Sequence, residues 1–371
     1  MIKEICISAL LLCAVPLTAQ TPTAQQLFQQ AVAAQQHGDD AAAVRIYREL
    51  LQAHPEVVVA RANLGASLAN LKRFDEAIEE YQAALVSDPH NLPVRLNLAL
   101  AYQEKGDYPH AVGQLEFVHS SEPANLQASM LLADCYFHLQ RFSETAQLLR
   151  ALETTLPDDL DLAWLLGSAL IETGHVEDGL RRIDHVAEKA QNAEAYLLAA
   201  QTRLALTQYD LAEHDVEAAK RLNPTLAGLQ TTVGMILEHT GDYASAETAL
   251  RKALEADPQD FNAHFYLGAI LYFRRDLKES RTHLEKALQL RPDSPQARYE
   301  LALVLRAEGD LDGALKNLMA VIRDSPDWLQ PHIELSALYY KLHRPEEGAK
   351  ERKIVDRLTA EPQGPPPGPM P

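Results

Sequence analysis

The sequence predicts an all-α protein, an α-solenoid of about ten stacked helical hairpins, on three observations. Prolines recur at positions 55, 89, 123, 157, 224, 258, 292 and 326, spaced by 34 residues apart from one gap of 67. Within each period, apolar residues fall at three- and four-residue spacing in two runs, the pattern of two amphipathic helices. At two places in every period the residue is small. A fixed period near 34 marks a repeat array. A chain of 371 residues, 47% apolar, exceeds the usual size of one compact core, and a stack resolves this because each repeat packs only on its neighbours.

The first helix of a repeat is seen in Arg61-Ala62-Asn63-Leu64-Gly65-Ala66-Ser67-Leu68, and the second in the run from Phe74 to Leu85. The short polar link at Lys72-Arg73 lets the second helix fold back on the first, and Pro89 stops it from running on. The missing proline of the long gap falls at Gln191, which divides it into 34 and 33 residues.

With proline counted as the thirty-second position, the twentieth holds Ala43, Ala77, Ala111, Thr145, Gly179, Ala212, Ala246, Ser280, Ala314 and Gly348. The eighth holds Ala31, Gly65, Ala99, Ala133, Gly167, Ala200, Gly234, Gly268, Ala302 and Ser336. A large side chain at either place would overpack the closest approach of the two helices. Larger apolar residues at the seventh position, such as Leu64, Leu98 and Leu267, and at the twenty-fourth, such as Tyr47, Tyr81 and Leu284, form the expected core. At the fifteenth, Gly38, Gly106, Gly174, Gly241 and Gly309 alternate with Lys72, Gln140, Thr207, Arg275 and His343. Glycine suits a turn between helices. The alternation fits either duplication of a two-hairpin block or two interchangeable turn chemistries.

These residues resemble the tetratricopeptide repeat family, whose unit places Leu-Gly in the first helix, small residues around a large one in the second, and then proline. The resemblance covers about nine tenths of the chain, residues 24–359, in units beginning near Ala24, Val58, Leu92, Leu126, Leu160, Ala193, Ala227, Phe261, Pro295 and Leu329. It implies a right-handed superhelix whose first helices line a concave groove, the default surface for a protein or peptide partner. Asn63 and Asn97 share the sixth position of adjacent units, where some members use asparagines to hold an extended peptide by its backbone. That position continues as Leu131, Leu165, Leu198, Thr232, Tyr266, Glu300 and Glu334, so the ladder has two rungs. The Lys and Asn combination by which chaperone-binding relatives hold a carboxylate is absent. Later units concentrate aromatics at groove-facing positions, namely Phe265, Tyr266, Tyr272, Phe273, Tyr299 and Tyr340, a candidate hot spot.

The ends differ from the array. An apolar run from Ile5 to Val15, followed by Pro16-Leu17-Thr18-Ala19, has the order of a secretory signal, with cleavage expected after Ala19. The run is too short for a membrane span. Its removal would leave Cys135 alone and exclude an internal disulfide. From Ala360 to Pro371 the chain is rich in proline and glycine and is expected to be a disordered tail. The first unit is rich in glutamine, and the last carries Arg352 where a large apolar residue is expected, so both read as solubilising caps. If Ile5–Val15 is not a signal, the location is cytoplasmic.

A net charge of −18 argues against nucleic acid and favours solubility or a basic partner. No His-Glu-x-x-His, phosphate loop, paired cysteines or nucleophile elbow occurs in the sequence. His264 and His283 fall in the two helices of one hairpin, but a metal site needs three or four ligands. No enzyme, cofactor or metal is expected. The sequence reads as an exported, periplasmic or extracellular scaffold for protein segments, with a glycan-binding module or an accessory subunit of a separate enzyme as alternatives.

Overall fold

The structure, a computed structural model, describes residues 22–360. Among them are twenty α-helices and no strand, and each odd-numbered helix is followed by its hairpin partner. The first six are α1 (Ala24–Gln36), α2 (Asp40–Ala53), α3 (Val58–Asn70), α4 (Phe74–Ser87), α5 (Leu92–Glu104) and α6 (Tyr108–Ser121). Then come α7 (Leu126–His138), α8 (Phe142–Glu153), α9 (Leu160–Glu172), α10 (Val176–Ala190), α11 (Ala193–Ala205), α12 (Tyr209–Leu222) and α13 (Leu229–Thr240). The last are α14 (Tyr243–Ala256), α15 (Phe261–Phe273), α16 (Leu277–Leu290), α17 (Pro295–Glu308), α18 (Leu311–Asp324), α19 (Leu329–Lys341) and α20 (Pro345–Ala360). Ala360 therefore closes a helix instead of opening a tail. The signal expected over residues 1–19 and the rest of the proline-rich end lie outside the described residues.

Local chemistry sets the helix starts. Asn91, Asn125, Asp159, Asn192 and Asp260 accept a backbone N–H bond at the starts of first helices, and Asp39, Asp107, Asp242, Asp276 and Asp310 do so for second helices. The seventh repeat enters its helix at Leu229, two residues after Ala227, because left-handed Gly228 (φ 76°) intervenes.

One turn geometry serves all ten hairpins. Every residue at the fifteenth position is left-handed: the glycines have φ from 73° to 93°, and Lys72, Gln140, Thr207, Arg275 and His343 have φ from 57° to 68°. The next N–H reaches back to close the first helix, as from Asp39 to Ala34 and from Arg73 to Leu68. Glycine meets this demand without strain, and the other five meet it against their Cβ.

The prolines work through the residue before them. His54, Asp88, Glu122, Asn223, Asp257, Arg291 and Ser325 each end a second helix with ψ between 70° and 96°, as the following proline ring requires. The proline carbonyl is then bonded by the fourth residue of the next repeat: Arg95 Nε to Pro89 at 2.9 Å, His264 Nε2 to Pro258 at 3.2 Å, His332 Nε2 to Pro326 at 2.9 Å, and Arg298 to Pro292. At Gln191 a left-handed residue (φ 49°) replaces the proline turn and saves one position. Packing does not loosen there, since Val186 and Ala187 of α10 join Ala195 and Ala199 of α11 in one core cluster.

The chain divides into two compact units, the first ending at Leu148 and the second beginning at Leu149. In the first, Tyr47, Leu64, Leu68, Tyr81, Leu98 and Leu115 are buried. In the second, Leu250, Leu267, Leu284, Val304 and Leu335 are. All ten residues at the twentieth position are buried. Where they are polar they bond the facing helix: Ser280 Oγ donates to the Gly268 carbonyl at 2.7 Å, and Thr145 Oγ1 to that of Ala133 at 3.4 Å. Arg352 is exposed beside Asp356, and Val355 and Leu358 turn inward in its stead. The Cys135 thiol is free and buried, and burial pushes its pKa up to about 12. No described helix is long and apolar enough to cross a membrane.

Candidate partner-binding grooves

In the first compact unit, α3, the end of α4 and the start of α5 enclose a cleft of about 440 Å³. Its wall includes Val58, Val59, Ala62, Ala66 and Pro93, and it holds both Asn63 and Asn97. Alanine on the first helix leaves room for a chain to approach the backbone. Asn63 Nδ2 donates to the Tyr47 hydroxyl at 3.1 Å, and that hydroxyl donates to Gln35 Oε1 at 3.2 Å. The network fixes the Asn63 rotamer and engages its Nδ2 while its Oδ1 makes no bond among the described residues. Burial raises the Tyr47 pKa, with the Asn63 bond opposing. Asn97 makes no hydrogen bond among the described residues, so its amide keeps both a donor and an acceptor for a ligand.

In the second compact unit the first helices α13, α15 and α17 follow one another along one face. Tyr266 of α15 is 5% exposed, and its ring lies against Phe265 (centroids 5.0 Å apart) and edge-on to His239 (6.5 Å). Glu238 of α13 and Glu300 of α17 stand on the two helices that pack on α15, and the charge of Glu238 acts on Glu300. Glu300 is half-buried, and desolvation, aided by the charge of Glu238, pushes its pKa up to about 7. Burial also raises Glu238, against the pull of His239 at 3.6 Å. Elsewhere in this unit a shallow depression of about 570 Å³ is lined by His264, His283, Leu254, Gln259 and Lys286. There the two imidazoles meet, Nδ1 to Nδ1, at 2.9 Å. No group of three metal-ligating side chains occurs among the described residues.

A tetratricopeptide repeat model matches residues 28–91, 96–159 and 270–327, and a second one matches residues 237–298, together more than half of the sequence. The chain belongs to the tetratricopeptide repeat family. Among solved structures it is similar to the hetero-tetramer Cut9–Hcn1 of APC/C, at 13% identity over 92% of this chain and 88% of that one, with a TM-score of 0.57. It is also similar to a tetratricopeptide repeat protein from Parabacteroides merdae (17% identity, 67% of this chain and 98% of that one, TM-score 0.49). A third similar structure is yeast Tom70 (15% identity, 90% and 92%, TM-score 0.41). No curated protein matches the sequence. At these identities the structural likeness speaks for the fold alone.

Within this tetratricopeptide array the structure separates the eight candidate residues. Asn63 and Asn97 share one cleft. The six aromatics do not form one exposed wall. Phe265 and Tyr266 are core, because α15 is apolar on nearly every face and is packed on both sides. Tyr272 and Tyr299 are half-buried, the latter 4.9 Å from Trp328. Phe273 and Tyr340 are exposed, but Phe273 leans on Tyr243 at 4.7 Å and Tyr340 lies over Gly348. Sequence reasoning missed Glu238 and Glu300. Their signal is a register one: Glu300 is a sixth-position glutamate with no arginine at the twelfth position of the repeat before it, and Glu238 is itself a twelfth-position residue whose sixth-position neighbour is Tyr266.

Proposed function

We propose that this tetratricopeptide repeat protein is a non-catalytic scaffold that holds an extended protein segment in the cleft of its first compact unit. The observation that carries the reading is the placement of Asn63 and Asn97 in one cleft, the first oriented by Tyr47 and the second unbonded. An extended segment exposes backbone N–H and C=O groups that an asparagine amide can bond without regard to side chains. The alanines and valines around them supply apolar contact. Export to a bacterial envelope is part of the proposal and rests on the order of residues from Ile5 to Ala19.

Selection from a random peptide library on the purified chain tests the cleft. Peptides so obtained are expected to bind Asn97→Ala and Asn63→Ala at least about tenfold more weakly, the effect of leaving buried peptide groups unbonded. Binding that ignores both substitutions would exclude this cleft as the site. Recovery of the chain from its host with Gln20 at its N-terminus checks export, and recovery with Met1 retained would exclude it.

A further inference from the structure

Arg306 at the twelfth position of the ninth repeat bonds Glu334 at the sixth position of the tenth. The register of α17 and α19 thus lets a twelfth-position side chain reach the sixth position of the next repeat. One repeat earlier these places hold Tyr272 and Glu300, and one earlier still they hold Glu238 and Tyr266. Glu300 therefore has a tyrosine where Glu334 has its arginine. It makes no hydrogen bond and no ion pair among the described residues. Tyr266 is nine-tenths buried, held by Phe265 and His239, and its hydroxyl bonds to nothing among the described residues while lying in the field of Glu238.

We infer that Glu238, Tyr266 and Glu300 form a pocket for an arginine side chain of a protein partner. The inference rests on the reading that the chain binds protein segments, but it places a second contact in the second compact unit. Two half-buried carboxylates whose one cationic neighbour among the described residues is His239, 3.6 Å from Glu238, are costly, and a guanidinium offsets that cost for both. Its planar fork can donate to two carboxylates at once and to the tyrosine hydroxyl beside them, which a lysine ammonium does less well. A metal ion is a poorer occupant, since no third ligating side chain converges here among the described residues. The charge of −18 steers a basic segment toward the chain. Burial has raised both carboxyl pKa values, and a bound guanidinium would lower them, so binding near neutral pH releases protons. The titratable groups around the pocket are Glu238 and His239 on α13, Tyr266 and Tyr272 on α15, Tyr299 and Arg306 on α17, Glu334 on α19 and Tyr209 on α12.

The test is fluorescence polarisation of a labelled hexa-arginine peptide at about 150 mM salt, where diffuse attraction is screened. Glu300→Gln and Glu238→Gln are expected to weaken binding at least about tenfold, as loss of a charged partner does, and Tyr266→Phe by a few-fold. Glu79→Gln, an exposed carboxylate in the first compact unit, controls for net charge and should change binding less than about twofold. Glu300→Gln removes an unpaired charge and so keeps the fold. Equal effects of Glu79→Gln, Glu238→Gln and Glu300→Gln would overturn the pocket, as would hexa-lysine binding as tightly as hexa-arginine. Library peptides that still depend on Asn97 in that case leave the asparagine cleft standing, so the two readings fail separately.

Discussion

Gly179 packs so closely on Gly167 that a Cβ built on it would stand 2.6 Å from the Gly167 carbonyl oxygen and 2.7 Å from Ile171 Cγ1. The obstacle is backbone, which cannot swing aside as a side-chain tip does. Gly179→Ala is therefore expected to part α9 from α10 and to cost about 1–3 kcal/mol in spite of alanine's better helix propensity. Gly113 supplies the contrast, since it is exposed in α6 and nothing lies within 4 Å of its Cβ position. Gly113→Ala should stabilise by roughly 0.5–1 kcal/mol. Thermal melts of the two variants should move in opposite directions, and a common shift would contradict the packing.

The helical hairpins were legible because their cause is local and recurs: a proline forces the residue before it out of the helix, and the closest helix contact admits only small side chains. The same regularity made the two-asparagine ladder visible at one position of adjacent repeats. What escaped the sequence depends on burial and on contacts between repeats. Phe265 and Tyr266 sit at groove-facing positions but are sealed by neighbours on both sides, and position alone does not reveal sealing. Glu238 and Glu300 interact from two repeats apart, with Tyr266 between them. The left-handed turn at Lys72 or Thr207 is likewise hidden, because only its glycine versions announce themselves.

Thr207 joins α11 to α12 with φ 59°, a conformation hard on a β-branched residue, and its side chain is exposed. Gly174, Gly241 and Gly309 occupy the equivalent place at no steric cost. Thr207→Gly should raise stability by about 0.5–1 kcal/mol, the relief of left-handed strain less the added freedom of the unfolded chain. A urea midpoint that falls would mean that the turn gains more from the threonine side chain than it loses to strain.

Arg203 of α11 joins Asp184 of α10, at 2.7 Å, to Asp215 of α12. Asp215 is 4% exposed, so the network lies within the packed helices. Burial raises the Asp184 pKa even against Arg203, which shows that desolvation outweighs the attraction at that end. Such a triad adds little net stability while it is intact, yet breaking it strands charges in the interior. Arg203→Met is expected to destabilise by about 3–5 kcal/mol, and adding Asp215→Asn should restore part of the loss. Denaturant titration of both variants checks this, and additive effects would exclude the coupling.

His264 Nε2 faces only the Pro258 carbonyl, so it carries the proton, and His264 Nδ1 must accept from Nδ1–H of His283. A second proton has no acceptor in that contact. Burial depresses both histidine pKa values; the charges of Lys286 for His264, and of His264 itself and Arg251 for His283, add to the effect, while Asp257, Asp260 and Glu279 oppose it. A depressed histidine leaves the folded state with fewer protons than the unfolded one, so its stabilisation is full above the unfolded pKa near 6.5 and is lost as pH falls through the folded values. Glu300 has the opposite sign: its pKa of about 7 means that the folded state holds a proton that the unfolded chain releases near pH 4.3, so its contribution declines as pH rises between them. The two slopes oppose each other between about pH 4.5 and 6.5. Glu300→Gln should therefore make stability fall more steeply on acidification, and His283→Gln should flatten the fall or turn it into a rise. Urea midpoints from pH 5 to 8 report both, and a His283→Gln profile parallel to that of the parent would show that the imidazole pair does not form.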